Sequence, residues 1–163
     1  MKKLYLIRHA KSSWKNLDID DFERPLNKRG EKNAPFMGEI LKDKGVFPDL
    51  ILSSPALRAK TTAMTIAKKI DYKKKLAYRK KIYEASSLEL LKILKSIDDS
   101  HKTVFLVGHN PSLNDLAEYF VEFYNNIPTC GIVEIEFSTR SWATIEPKKA
   151  KFISFDYPKK YTK

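Results

Sequence analysis

The chain has 163 residues, of which 42% are hydrophobic and 31% charged, and it carries a formal net charge of +11. That length and apolar content suit a single domain over residues 1–163 with a sizeable core, and they argue against disorder. No apolar stretch approaches the ~20 residues that cross a bilayer, and the run after Met1-Lys2-Lys3 is cut short at Arg8, too early for an export segment; a cytoplasmic protein without membrane contact is expected.

The first predicted element is Leu4-Tyr5-Leu6-Ile7, an apolar run that ends on Arg8-His9. Continuous apolar runs followed by helical patterns read as buried strands of a parallel sheet. The polar stretch from Lys11 to Pro25 is too long for an ordinary connection and reads as a functional segment over the strand end. A helix opens at Leu26-Asn27, with Asn27 as N-cap, and runs to about Lys44 with Gly45 as its stop. Pro35 inside it calls for a kink or a late start. The run Leu50-Ile51-Leu52-Ser53 passes through Ser54-Pro55 into a helix from Ala56 to about Lys69, whose apolar face is Ala59, Ala63, Ile66, Ala67 and Ile70. A short strand near Leu76-Ala77-Tyr78 leads to Tyr83-Glu84-Ala85, and Ser86 or Ser87 caps a helix through Ile97. Thr103 to Val107 is a second apolar run that ends on a histidine, in Gly108-His109-Asn110, and a helix follows near Pro111. Past Pro128, residues Ile132 to Phe137 and Phe152 to Tyr157 alternate, as strands with one wetter face do. The expected fold is α/β, a three-layer α/β/α sandwich with a mostly parallel central sheet and an antiparallel edge.

Ligands of such sheets bind at the carboxyl ends of the strands. His9 and His109 both fall there, and Arg58, in the first turn of the helix after Ser54-Pro55, joins Arg8 at the same edge. Two histidines and two arginines on one rim describe a phosphate site. Guanidinium forks match phosphate oxygens bidentately. The neutral imidazole of His9 can attack phosphorus through one nitrogen while an acceptor holds the other. His109, as imidazolium, would add a donor to the charge that spreads in the transition state. Glu84 follows a short strand on the same rim and either protonates a leaving group or merely caps a helix. Arg24, on the long loop, either fixes Asp20 or Asp21 or reaches the phosphate. His101 precedes its strand at the opposite edge and reads as a surface residue. Cys130 is the single cysteine, which excludes an internal disulfide and a cysteine-based zinc cluster; it reads as a small buried hydrophobe. The lysines crowd into Lys73-Lys74-Lys75, Lys80-Lys81, Lys148-Lys149 and Lys159-Lys160, which favours acidic partners. They form no regular helical stripe, so nucleic acid is not expected.

Leu4-Tyr5-Leu6-Ile7-Arg8-His9, Ser53-Ser54-Pro55 with Arg58-Ala59-Lys60-Thr61-Thr62, Glu84-Ala85 and Gly108-His109-Asn110-Pro111, in that order, resemble the histidine phosphatase superfamily, also called phosphoglycerate mutase-like. The resemblance spans nearly the whole chain. It is strongest to the small SixA-type phosphohistidine phosphatases, which share a segment like Arg24-Pro25-Leu26-Asn27-Lys28-Arg29-Gly30. It implies a phosphoglycerate mutase-like fold that works without metal or cofactor. His9 would be the nucleophile, with Arg8, Arg58 and His109 around the phosphate, Arg24, Asn110 and Ser12 as further contacts, and Glu84 as proton donor. The implied substrate is phosphohistidine on a partner protein. The alternatives are a phosphatase or mutase for a small phosphate monoester and a catalytically idle phosphate-binding module. One position departs from the pattern: the family's usual glycine after the nucleophile is Ala10 here, which limits the backbone to ordinary φ values and is expected to alter geometry at most.

Overall fold

A computed structural model describes residues 1–162. Strands β1 (Lys2–Arg8), β2 (Leu50–Ser53), β3 (Ala77–Tyr78), β4 (Thr103–Gly108), β5 (Ile132–Phe137) and β6 (Ala150–Asp156) form one sheet in the order β3-β2-β4-β1-β5-β6. The pairings among the first four are parallel, and β5 and β6 add the antiparallel edge. Register places the site. Arg8 lies opposite Gly108, so His9 and His109 leave the sheet side by side. Ser53 lies opposite Val107, which brings the start of the next helix to the same edge.

The helices are α1 (Lys28–Asp43), α2 (Leu57–Lys69), α3 (Lys80–Tyr83), α4 (Ser87–Lys95), α5 (Ser112–Phe120) and α6 (Pro158–Tyr161). Alternate residues of β1 and β4 face opposite layers. Tyr5, Ile7, Phe105 and Val107 pack with Met37 and Leu41 of α1 and with Ala63 and Ile66 of α2. Leu4, Leu6, Val104 and Leu106 pack with Leu90 and Leu94 of α4 and with Leu113 and Leu116 of α5. Both faces are covered, which is why these strands read as unbroken apolar runs rather than alternating ones. Each fully buried Leu or Ile contributes roughly 1.5–3 kcal/mol relative to exposure.

Local signals set the helix ends. Asn27 accepts the Gly30 N–H at 2.9 Å and caps α1. At the other end Gly45 has φ 71°, with Val46 N–H on the Leu41 carbonyl at 3.0 Å and Gly45 N–H on the Lys42 carbonyl at 2.9 Å, the paired bonds of a Schellman stop. Because α1 begins at Lys28, Pro35 lies within it and the late start does not occur. Ser86, rather than Ser87, caps α4 through a capping box with Glu89. The single turn α3 and the 3-10 turns Asp21–Glu23, Trp142–Thr144 and Pro147–Lys149 are too short for periodicity to reveal. One expectation is corrected. The face of β5 expected to be wet is largely buried: Glu136 is only partly exposed, and Glu134 is buried, opposite Tyr5 on β1 and accepting the Ser154 hydroxyl from β6 at 3.2 Å. The neighbouring strands supply the polar partner that makes this burial tolerable.

Candidate active site

The long loop after β1 closes on itself before it reaches the site. Ser12 bridges to Leu26, Ser13 N–H donates to the Pro25 carbonyl at 2.8 Å and Asn27 N–H to the Lys11 carbonyl at 3.0 Å. The first turn of α1 presses against that base, and a Cβ at Gly30 would lie 2.1 Å from the Lys11 carbonyl oxygen. Only glycine permits this approach. The loop base thereby pins Arg24, which is buried and donates to Ser12 Oγ and, at 3.0 Å, to Asp21 Oδ1. Ser12 therefore holds Arg24, and the reading in which Arg24 fixes an aspartate is met by Asp21.

His9 is buried beside His109, with ring centroids 5.1 Å apart. Its Nδ1 lies 2.8 Å from the Ala10 carbonyl, an acceptor only, so Nδ1 carries the proton and the lone pair is on Nε2. Burial pushes the His9 pKa down to about 3, with His109, Arg58 and Arg8 acting the same way. At neutral pH the ring is a neutral base with one nitrogen tethered, as a nucleophile requires. Ala10 donates its N–H to Thr62 Oγ1 at 2.9 Å, and Thr62 donates in turn to the Arg58 carbonyl at 2.7 Å. Ala10 does not have a positive φ, so its Cβ introduces no left-handed strain where the family has glycine.

Three guanidinium groups surround the imidazoles. Arg8 Nη1 donates to the Ile127 carbonyl at 3.0 Å. Arg58, in the first turn of α2, donates to the Asp21 carbonyl at 2.7 Å and to Asp21 Oδ2 at 3.1 Å. Among the described residues the buried Nε of Arg8, Arg24 and Arg58 and the Nδ1 of His109 have no partner. Unpaired buried donors are costly, and three of these atoms belong to the arginines whose charges act on the two imidazoles. Tyr83 completes the wall, its ring 5.6 Å from that of His109 and edge-on to Phe22 at 5.1 Å.

Several predicted residues take other positions. His109 Nε2 lies 2.7 Å from Ser54 Oγ, and burial followed by the charge of Arg58 pushes its pKa down to about 4. The free site thus holds His109 neutral, and the imidazolium expected in the transition state would need the charge of a bound phosphate dianion to raise it. Asn110 is engaged within the protein. Its Nδ2 donates to the Ile127 carbonyl at 3.0 Å and its Oδ1 accepts the Asn114 N–H at 3.2 Å, which supports the carbonyl that also holds Arg8. Glu84 is exposed at the C-terminal end of α3, one residue after Tyr83, and makes no hydrogen bond or ion pair among the described residues. Cys130 is buried, with its thiol pKa pushed up to about 12 by burial, and is inert. His101 lies at the opposite edge, partly exposed. Asp21 and Tyr83 are the site residues that the sequence did not single out; the expected Arg24–aspartate pair was the one signal pointing to Asp21.

This topology, with a tethered neutral histidine among arginines at the strand ends, defines an α/β phosphatase domain. The model of the histidine phosphatase superfamily (branch 1) matches residues 4–86, and the chain belongs to that superfamily. An uncharacterised protein of Mycobacterium tuberculosis is 28% identical over 164 residues, covering 94% of this chain and all of that one. Yeast phosphoglycerate mutase 1, from Saccharomyces cerevisiae, is 40% identical over 73 residues, which is 44% of this chain and 30% of the mutase. Among solved structures, a protein provisionally assigned as phosphohistidine phosphatase SixA of Agrobacterium tumefaciens superposes with a TM-score of 0.84 at 27% identity, covering 96% of this chain and 98% of that one. A protein histidine phosphatase SixA complexed with tungstate shares the fold, with a TM-score of 0.77 at 17% identity and coverage of 97% and 98%.

Proposed function

We propose that this chain removes phosphate from phosphohistidine on a partner protein, without metal or cofactor, through a phosphohistidine formed on its own His9. The observation that carries the reading is His9 itself: neutral, tethered through Nδ1 and next to His109 among three arginines. Nε2 of His9 attacks phosphorus and the phosphorus–nitrogen bond of the substrate breaks. The leaving imidazole takes up a proton, from water or from Glu84. Water then attacks the phosphorus on His9, the new phosphorus–nitrogen bond breaks with its electron pair returning to Nε2, a proton of that water replaces the one given up by Glu84 or the solvent, and inorganic phosphate leaves. Arg8, Arg24 and Arg58 stabilise the equatorial oxygens throughout.

Two features support a protein substrate over a small one. The connections from Arg58 to Glu84 and from Glu84 to His109 hold little beyond α2, β3, α3, α4 and β4, with no extra segment to cover a small molecule. Lys80 and Lys81 adjoin Tyr83 on a chain of net charge +11, which suits an acidic partner. Rapid quench during turnover should trap an acid-labile, base-stable phosphate that maps to His9; a label on Ser12, Ser53 or Thr61 would overturn the mechanism. Chelators should leave activity intact. For an acidic phosphoprotein kcat/KM should fall steeply with salt, as the Debye length shrinks from about 10 Å at 0.1 M to about 3 Å at 1 M, and replacing Lys80 and Lys81 by Gln should flatten that slope. Equal slopes for the phosphoprotein and an aryl phosphate, unaffected by the lysines, would favour a small-molecule phosphatase.

A further inference from the structure

The pocket already contains an anion supplied by its own loop. Asp21 opens the 3-10 turn Asp21–Glu23, and its carboxylate has Oδ1 at 3.0 Å from Arg24 Nη2 and Oδ2 at 3.1 Å from Arg58 Nη2. Tyr83 donates its hydroxyl to the same Oδ2 at 2.5 Å. The two oxygens thus take donors from three separate elements: the loop, α2 and α3. Two of those donors belong to the arginines around the catalytic histidine, so the carboxylate occupies the cations that a phosphate would use. Its exposure differs sharply from theirs. The Asp21 side chain is 47% exposed, whereas those of Arg24 and Arg58 are 10% and 8% exposed. The anion caps the cations from the more exposed side, and among the described residues the Nε donors of Arg24 and Arg58 remain unpaired.

We infer that Asp21 is a displaceable occupant of the phosphate pocket: its carboxylate holds Arg24 and Arg58 in the free enzyme and yields them to the incoming phosphate. The inference rests on reading this edge as a phosphate site. The carboxylate is held well below the usual carboxylate range, first by the Tyr83 hydrogen bond and then by the two arginines, so it competes as a full charge at every working pH. An anion bearing one charge gains little by replacing it, while a phosphate bearing two gains the difference. Asp21 thereby sets specificity for phosphate monoesters and phosphoramidates over singly charged anions. A fixed structural clamp would behave oppositely, because removing its charge would let the arginines drift from their phosphate-binding positions.

Calorimetric titration of inorganic phosphate into the full-length wild type, Asp21→Asn and Asp21→Ala separates the two. Asp21→Asn should bind phosphate about tenfold more tightly, and Asp21→Ala at least as tightly as wild type; weaker or unchanged binding in Asp21→Asn would overturn the inference. A second measurement needs no variant. The carboxyl carbon resonance of Asp21 in wild type should move when phosphate saturates the site, and an unmoved resonance at saturation would also refute displacement. Both readouts are independent of turnover, so failure to hydrolyse phosphohistidine would remove the proposed substrate without touching this result. Absence of phosphate binding in all three proteins would remove the phosphate site and the inference with it.

Discussion

Buried cationic side chains stand at both ends of β1, and the two ends treat them differently. At the amino end Lys2 is 3% exposed, and its ammonium donates to the backbone carbonyls of Asp99 and His101 at 2.5 and 3.0 Å, 5.7 Å from the centre of the Trp142 ring. Trp142 sends its indole N–H to the same His101 carbonyl at 2.7 Å. These acceptors are fixed by the backbone. At the carboxyl end Arg8 and Arg58 also donate to backbone carbonyls, but among the described residues the Nε atoms of Arg8, Arg24 and Arg58 lack partners, and the principal anion is the half-exposed Asp21. A buried charge whose donors all meet fixed acceptors supports the fold, whereas buried donors without partners cost stability.

The contrast predicts that substitutions at the carboxyl end change chemistry and those at the amino end change stability. The largest effect belongs to His9→Ala, which should lower kcat by roughly 10⁴-fold or more while phosphate still binds through Arg8 and Arg58. Near-normal turnover in the folded variant would break the covalent mechanism. Arg58→Lys keeps one charge but loses the fork, and kcat/KM on an aryl phosphate should fall by about 10²-fold, the scale of one lost transition-state donor. Its thermal midpoint should stay near that of wild type.

Lys2→Met should do the reverse. It keeps the volume and strands the Asp99 carbonyl, while Trp142 still donates to that of His101; this costs about 1–2 kcal/mol in chemical denaturation, with kcat/KM held within about twofold of wild type. A loss of activity as large as that of Arg58→Lys would erase the distinction between the two ends. The smallest test is pH dependence. His9 and His109 have folded values of about 3 and about 4, below the ordinary 6.5, so the folded state binds fewer protons than the unfolded one. The stability they contribute is complete above about pH 6.5 and is lost as pH falls toward 4, with a slope of up to about 1.4 kcal/mol per pH unit for each histidine. His109→Ala should remove about half of that slope. An unchanged slope would show that the buried imidazoles are not the groups taking up protons.

By itself the sequence determined the longer elements and the rim. The apolar runs that end on His9 and His109 are legible because strands buried on both faces need no alternation, and parallel strands place their carboxyl ends together. Both ends of α1 and, to within one residue, the start of α4 are legible because Asn27, Gly45 and Ser86 act on backbone groups only a few residues away. Only the tertiary structure decided the polar partners. Asp21 meets Arg58 across 37 residues and Tyr83 across 62, a convergence that requires the loop base, α2 and α3 all to be in place. Asn110 carries the family pattern, yet Ile127 and Asn114 take its amide, and Glu134 carries a surface pattern, yet Ser154 receives it in the interior. An apolar side chain accepts any neighbour of suitable volume, so its burial can be read from periodicity. A hydrogen bond needs one particular atom within about 3 Å in one direction, and the register of the sheet and the packing of its loops choose that atom.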